Sequence, residues 1–137
     1  MAITITRDRS GAMRQSIRVR GHTLTADEPP ANGGEDAGPD PHDLYDAAVG
    51  ACKALTMVWY ANRKGMPLED VEVTIERDAS KEQSGTYRLR ASVSVTGTLD
   101  DTQRQQLLSV ASKCPIHKLM TQVKTEIETV WKEPGAL

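Results

Sequence analysis

Residues 38–67 read GPDPHDLYDAAVGACKALTMVWYANRKGMP, and the rest of the fold depends on this stretch. Its start carries three helix signals, because Asp40 suits the N-cap, Pro41 the first helical position and Asp43 the third position of a capping box. Its end carries a stop signal, since Gly65 favours the left-handed conformation that closes many helices. We therefore predict one long helix between these caps.

Apolar side chains cover nearly every face of this predicted helix. A thin polar stripe remains, through Asp46, Lys53, Tyr60 and Arg63. A helix that is apolar almost all round belongs inside a larger apolar body. One subunit alone would struggle to cover it, so we predict an obligate homodimer in which the two long helices share a core.

Alternating apolar residues predict strands on both sides of the helix, and helical periodicity returns near the end of the chain. The predicted strands are Ile3–Ile5, Ser16–Leu24 (with a bulge or bend at Gly21), an antiparallel hairpin of Val71–Ile75 and Tyr87–Val95, and a closing strand Thr125–Trp131. Two helical runs lie between the hairpin and this last strand, and residues 26–38 read as a surface loop. This order predicts a single α+β domain over residues 1–137, with mostly antiparallel strands around a long central helix.

Composition and charge exclude several classes of function. The 137 residues contain 17 Lys and Arg against 19 Asp and Glu, and this net charge of −2 does not favour a nucleic-acid-binding surface. The first residues lack the apolar core of a secretory signal, and the long helix carries charges that argue against a membrane span. Two cysteines without such a signal indicate a reducing compartment, so we expect a cytoplasmic protein.

The two cysteines are the candidate reactive groups. Their separation fits neither a CxxC motif nor a structural zinc site, and many such cysteines are simply buried small side chains. Cys114, however, stands where Pro115 should begin a helix, and free N–H groups at a helix start lower a thiol's pKa. Lys113 and His117 would add positive charge. The sequence thus predicts a Cys114 thiol with a lowered pKa.

Cys52 lies in the middle of the long helix and gains no such help from its own helix. A positive partner would have to come from another segment, and the nearest basic cluster is Arg14, Arg18 and Arg20. Their even spacing would place all three on one side of a strand. The alternative is that these arginines form only a solvated strand face.

The two cysteine motifs together resemble a known family. The stretch GPDPHDLYDAAVGAC, followed about sixty residues later by KCPIH, is similar to the OsmC/Ohr family of thiol-dependent peroxidases. The resemblance implies an intertwined homodimer with two active sites at the subunit interface. It also implies that Cys52 is the peroxidatic thiol and Cys114 the resolving thiol. An external dithiol, lipoyl-type or thioredoxin-like, would then reduce the resulting disulfide.

One feature departs from the family pattern. The family uses an arginine to hold the thiolate, backed by an acidic residue ten positions before the helix cysteine. Arg14 fits the arginine best by position, and Arg18 is the alternative. His42 occupies the acidic position, and the adjacent Asp43 would replace the carboxylate only with a rotation of about 100° around the helix.

Two functions follow from these features. The first is a peroxidase that reduces organic hydroperoxides or hydrogen peroxide through a Cys52 sulfenic acid resolved by Cys114. The alternative is a divergent module that binds an apolar small molecule in the dimer cleft without peroxidase activity. Only the first requires the two sulfurs to reach bonding distance. No motif calls for a metal or an organic cofactor.

Overall fold

The computed structural model describes residues 1–132, which form two antiparallel sheets and three α-helices. The elements are β1 (Ile3–Arg7), β2 (Gln15–Val19), β3 (His22–Ala26), α1 (Pro41–Lys64), β4 (Leu68–Asp78), β5 (Arg88–Gly97), α2 (Asp101–Ala111) and α3 (Pro115–Gln122). Short 3₁₀ turns lie at Pro30–Asn32 and Glu82–Ser84. The predicted α+β class, with antiparallel strands and a long helix, is confirmed.

Both ends of α1 form as the sequence predicts. The Asp40 side chain accepts the Asp43 N–H at 2.8 Å, and the Asp43 carboxylate accepts the Asp40 N–H at 3.1 Å, which completes a capping box. At the other end Gly65 adopts a φ of 65°, a conformation that costs glycine little. Local chemistry therefore fixes the length of the helix.

The first sheet has the order β1-β2-β3, and it corrects one sequence prediction. Instead of a single strand from Ser16 to Leu24, the chain reverses through a two-residue turn, Arg20-Gly21, with Val19 opposite His22. A two-residue hairpin places Ile17 opposite Leu24, so the apolar positions change from odd to even across the turn. The predicted bulge or bend at Gly21 would shift them in the same way, so the pattern alone did not distinguish the two. Arg20 takes the positive φ of this turn, at 52°.

The second sheet, formed by β4 and β5, packs against α1, which in turn packs against α2. The core contains Met57 and Ala61 from α1 together with Leu107 and Ala111 from α2, and valines of both strands close it from below. Gly50 allows the helix to approach the sheet, since a Cβ there would lie only 3.0 Å from the Ile75 Cγ1 atom.

The rotation of α1 turns two charged residues of its polar stripe inward and leaves apolar side chains exposed. The charged residues Asp46 and Lys53 face the interior of their own chain and are each only 6% exposed. Leu55 and Trp59, by contrast, are 69% and 59% exposed. The chain thus uses Asp46 and Lys53 to hold its own elements together, while Arg63 of the same stripe stays exposed and an apolar helix face is uncovered.

The predicted closing strand Thr125–Trp131 is wrong, because this segment pairs with no strand in the described part of the chain. A strand needs a ladder partner to satisfy its backbone groups, and neither sheet supplies one here. Trp131, at the end of this segment, is 93% exposed and is no core residue of this chain. Among residues 1–132, no helix is both long and apolar enough to cross a membrane.

Candidate active site

The fold brings Cys52 and Cys114 together. Cys52 lies at the middle of α1, and Cys114 is the N-cap residue of α3, which packs against α1. Both cysteines are free thiols, and their side chains are within hydrogen-bonding reach of each other. Two sulfurs in this arrangement are placed for exchange chemistry with each other.

The N-terminus of α3 contacts Cys52 and also begins at Cys114. The backbone N–H of Ile116 donates to the Cys52 sulfur at 3.5 Å. Unpaired N–H groups and the positive dipole end of a helix stabilise a thiolate. Cys52 therefore receives electrostatic support from α3, a source that the sequence pattern of α1 alone did not indicate.

Cys114 is completely buried, and this overturns the predicted direction of its pKa shift. Burial raises the pKa of the Cys114 thiol above its ordinary value, and the Cys52 thiol adds to the rise. The His117 backbone N–H and the Lys53 ammonium lower the pKa without outweighing the burial. The prediction of a lowered pKa was wrong because the burial of this thiol outweighs the electrostatic effect of the helix start. Lys113, expected to help, is exposed.

A buried lysine lies behind the two sulfurs. Lys53 Nζ donates to the Ala111 carbonyl oxygen at 2.9 Å and lies 3.0 Å from His117 Nδ1. It therefore joins α1 to the end of α2 and to α3. The sequence placed Lys53 in a polar stripe and did not indicate its partners. The one available signal was a lysine directly after Cys52 among small residues.

Cys52 also opens onto an apolar cavity of about 670 Å³. Its walls share small or apolar character, and they are Ala48, Ala51, Leu55, Thr56, Trp59, Pro115 and Ile116. Cys52 is the only sulfur among the lining residues. A molecule in this cavity would thus meet the Cys52 thiol before the buried Cys114 thiol.

The candidate arginines lie away from the sulfurs within the described chain. Arg14 precedes β2 and pairs with Glu35 of the loop between β3 and α1, at 3.7 Å. Arg18 is exposed on β2, opposite Thr4 and Thr23. Since Arg20 lies in the turn, the three arginines do not share one strand. None of the described hydrogen bonds joins Arg14 or Arg18 to either cysteine.

His42 and Asp43 are occupied by structural contacts at the start of α1. The His42 ring nitrogen Nε2 lies 3.0 Å from the Glu82 carboxylate, whose hydrogen bond raises the pKa of His42. Asp43 completes the capping box and accepts a hydrogen bond from Arg77 at 2.5 Å, which lowers the pKa of its carboxyl. Ten helical residues span about 15 Å, so neither side chain reaches Cys52 in its own chain.

A second polar cluster fastens α1 to the sheet. The buried Asp46 carboxylate accepts Arg77 Nε at 2.6 Å and the Tyr87 hydroxyl at 2.7 Å. Burial and this hydrogen bond raise the pKa of Tyr87 to about 12. Arg77, which the sequence analysis did not single out, thereby bridges Asp43 and Asp46 from β4.

Comparison with known proteins identifies the family. The family model described as OsmC-like protein matches residues 33–129, in agreement with the resemblance of the two cysteine motifs. Among curated protein sequences there is no significant match.

Solved structures of the same fold are similar along most of the chain. An OsmC-like protein from Mycoplasma pneumoniae is 18% identical, with 89% of this chain and 87% of that chain covered and a TM-score of 0.70. The organic hydroperoxide resistance protein OsmC from Legionella pneumophila is 24% identical, with 88% of both chains covered and a TM-score of 0.62. The organic hydroperoxide resistance protein OhrB of Bacillus subtilis is 20% identical, covering 88% of this chain and 90% of that chain, with a TM-score of 0.57. At these identities the likeness shows the fold alone.

Proposed function

We propose that this chain, which belongs to the OsmC-like family, is a thiol-dependent peroxidase that reduces organic hydroperoxides. The observation that carries the proposal is the position of the Cys52 sulfur, which opens onto an apolar cavity and has the Cys114 thiol at its side. Two solved structures of the same fold belong to proteins named for organic hydroperoxide resistance, which supports the same class of substrate.

In the first step the Cys52 thiolate attacks the distal oxygen of the hydroperoxide. The S–O bond forms as the O–O bond breaks, and the leaving alkoxide takes a proton to become an alcohol. Cys52 is left as a sulfenic acid, oxidised by two electrons. The Ile116 N–H at the Cys52 sulfur favours the thiolate that begins this step.

In the second step Cys114 attacks the sulfenic sulfur of Cys52. The S–S bond forms as the S–O bond breaks, and the oxygen leaves as water with the proton that Cys114 loses. An external dithiol, lipoyl-type or thioredoxin-like, then reduces the disulfide by thiol exchange. Because this cycle needs reduced thiols at rest, we place the protein in the cytoplasm.

The lining of the cavity favours an organic substrate over hydrogen peroxide. Leu55, Trp59 and Ile116 offer apolar surface to an alkyl or aryl group, and burying such a group is favourable by about 25 cal/mol per Å². Hydrogen peroxide has no group that would use this surface. We therefore expect bulky apolar hydroperoxides to be the better substrates.

The supporting roles of the arginine and of the acidic position remain predictions. Arg14 is engaged by Glu35 in its own chain, and Arg18 is exposed. An arginine at the Cys52 thiolate would therefore have to come from a second copy of the chain. His42 and Asp43, which cap and fasten α1, would act on Cys52 only across such an interface.

The first experiment is intact-mass spectrometry of the reduced protein before and after one equivalent of cumene hydroperoxide. We expect the loss of two hydrogen atoms and a peptide in which Cys52 is linked to Cys114. The matched control is cumyl alcohol, which has the same apolar group without the O–O bond and should change nothing.

The alternative function is supported by the same cavity. If cumene hydroperoxide leaves both thiols reduced, the peroxidase proposal fails, and the binding of an apolar small molecule becomes the better account. Saturable binding of cumyl alcohol would then support it. The measurement is the quenching of tryptophan fluorescence, because Trp59 lines the cavity.

The uncovered surfaces support the proposal of a homodimer. Within residues 1–132, the sheet β1-β2-β3 packs against the helices much less than the second sheet does. Ile3 and Ile5 of this sheet are exposed. Leu55 and Trp59 add an exposed apolar face on α1. Apolar surface of this extent is typical of protein interfaces.

We expect sedimentation velocity at micromolar concentration to give the mass of a dimer. Leu55→Glu should convert the protein largely to monomer, because it would bury a charge in the apolar face. Gln106→Glu, an exposed change on α2, is the matched control and should leave the dimer intact. A wild-type protein that stays folded as a monomer would contradict the proposal.

A further inference from the structure

Lys53 is a buried cation that has no anionic partner among the residues that the structure describes. Its side chain is 6% exposed, and its ammonium contacts the neutral Ala111 carbonyl and the His117 ring. Within residues 1–132, no carboxylate lies within salt-bridge distance of Lys53 Nζ. Burying an unpaired ammonium is costly, and such groups are usually paired with an anion.

The contact with His117 orients the ammonium without neutralising it. An ammonium has only donors, so the Nδ1 atom of His117 must be the acceptor, and the ring proton then lies on Nε2. A carboxylate in place of the imidazole would cancel the positive charge of Lys53. The imidazole instead fixes the position of Nζ and leaves its charge available to a third group.

The groups around the Cys114 sulfur show which anion this charge can serve. Lys53 Nζ contacts Ala111 and His117, which lie three residues before and three residues after Cys114. Among the described residues, the charged or titratable groups that act on the Cys114 sulfur are Lys53 and Cys52 from α1 and His117 from α3, while α2 contributes the Ala111 carbonyl to the cluster. The Cys52 sulfur already has the Ile116 N–H. The Ile116 N–H thus supports the Cys52 sulfur, and the charge of Lys53 acts on the Cys114 sulfur.

We propose that Lys53, oriented by His117, is a positioning residue that supplies the positive charge for the Cys114 thiolate in the resolving step. This inference rests on the proposed function. In that step Cys114 must lose a proton inside a buried site before its sulfur attacks the Cys52 sulfenic acid. A nearby cation offsets the unfavourable burial of the thiolate, and the proton lost by Cys114 leaves with the sulfenic oxygen as water.

The first test does not depend on peroxidase activity. The ionisation of Cys114 is followed by thiolate absorbance at 240 nm in a Cys52→Ser background, as a difference from the Cys52→Ser/Cys114→Ser protein. Lys53→Met should raise the pKa of Cys114 by about one unit or more, the range for loss of an opposite charge within several ångströms. Lys53→Arg, which keeps the charge, should restore most of the parent value.

The matched control is Lys113→Met. Lys113 directly precedes Cys114 in sequence but is exposed, and its loss should leave the titration unchanged. Lys53→Gln, which retains a donor for the Ala111 carbonyl without the charge, provides a second neutral variant should Lys53→Met fold poorly. An unchanged Cys114 titration in the folded neutral variant, or a Lys53→Arg protein that behaves like it, would overturn the proposal.

The second test measures the resolving step itself, with both cysteines present. After one equivalent of cumene hydroperoxide at neutral pH, Lys53→Met should form the Cys52–Cys114 disulfide about tenfold more slowly, since one pKa unit is tenfold in thiolate population. The deficit should disappear at a pH above the pKa of Cys114 in the variant. If no disulfide forms even in the parent protein, the peroxidase proposal fails, while the titration still decides the role of Lys53.

Discussion

Replacing Cys52 by serine is expected to reduce peroxide turnover to the background rate, whereas Cys114→Ser should still complete one round of oxidation. The serine hydroxyl is not ionised near neutral pH and cannot replace the thiolate that attacks the peroxide. In Cys52→Ser, the buried Cys114 should stay reduced, because its raised pKa leaves little thiolate. In Cys114→Ser, oxidation should stop at a Cys52 sulfenic acid. Consumption of cumene hydroperoxide measures turnover, and the mass of a dimedone adduct measures the trapped sulfenic acid.

Ser109→Ala is the matched control for these variants, since it changes an exposed side chain of α2 and should retain full turnover. Two results would contradict the assignment of roles. Full activity in both cysteine variants would remove the thiol mechanism altogether. A dimedone adduct on Cys114 in the Cys52→Ser protein would show that the buried sulfur is the one that meets the peroxide.

The extent of α1 could be predicted because its signals are local. The capping box of Asp40 and Asp43 and the left-handed Gly65 act within a few residues, so the sequence alone determines where the helix begins and ends. The strands of the β4–β5 hairpin were predicted for the same reason, since alternation over one segment suffices. The hairpin turn at Arg20-Gly21 was missed because the shift of alternation at Gly21 also fits a bulge, and arginine is not a usual first residue of such a turn.

The rotation of α1 could not be predicted from its composition. The sequence showed a thin polar stripe without showing what it faces, and its residues Asp46 and Lys53 point into their own chain. What decides this is the presence of Arg77, Tyr87 and His117 on other elements, tens of residues away in sequence. Hydrogen-bond partners of this kind appear only when the tertiary contacts are known.

The sequence predicted the two sulfurs of the candidate site but not the groups that surround them. The two cysteine motifs led to Cys52 and Cys114, which the fold brings together. The direction of the Cys114 pKa shift depends on burial, which a helix start alone does not reveal. The Ile116 N–H at Cys52 is likewise a contact between α3 and α1 that no local pattern encodes.

The largest effect on stability is expected from Asp46→Ala. The change removes the acceptor of two hydrogen bonds, to Arg77 Nε at 2.6 Å and to the Tyr87 hydroxyl at 2.7 Å. The loss of a buried carboxylate that is hydrogen-bonded in this way should lower the free energy of unfolding by about 2 kcal/mol. Urea unfolding at a fixed protein concentration measures it, since the stability of an oligomer depends on concentration. Glu76→Ala, an exposed carboxylate on the same strand as Arg77, is the control and should cost little.

The double variant Asp46→Ala/Tyr87→Phe tests whether Asp46 and Tyr87 stabilise the protein through the one hydrogen bond between them. If Asp46 and Tyr87 act through one hydrogen bond, removing both should cost less than the sum of the single changes. Strictly additive costs would contradict the shared bond. The result also bears on the site, because Asp46 and Lys53 are two turns apart on the same buried face of α1. Together they fix the rotation of the helix, and that rotation is what directs Cys52 toward the start of α3. Asp46→Ala should therefore also slow disulfide formation in the folded protein, although Asp46 touches neither sulfur.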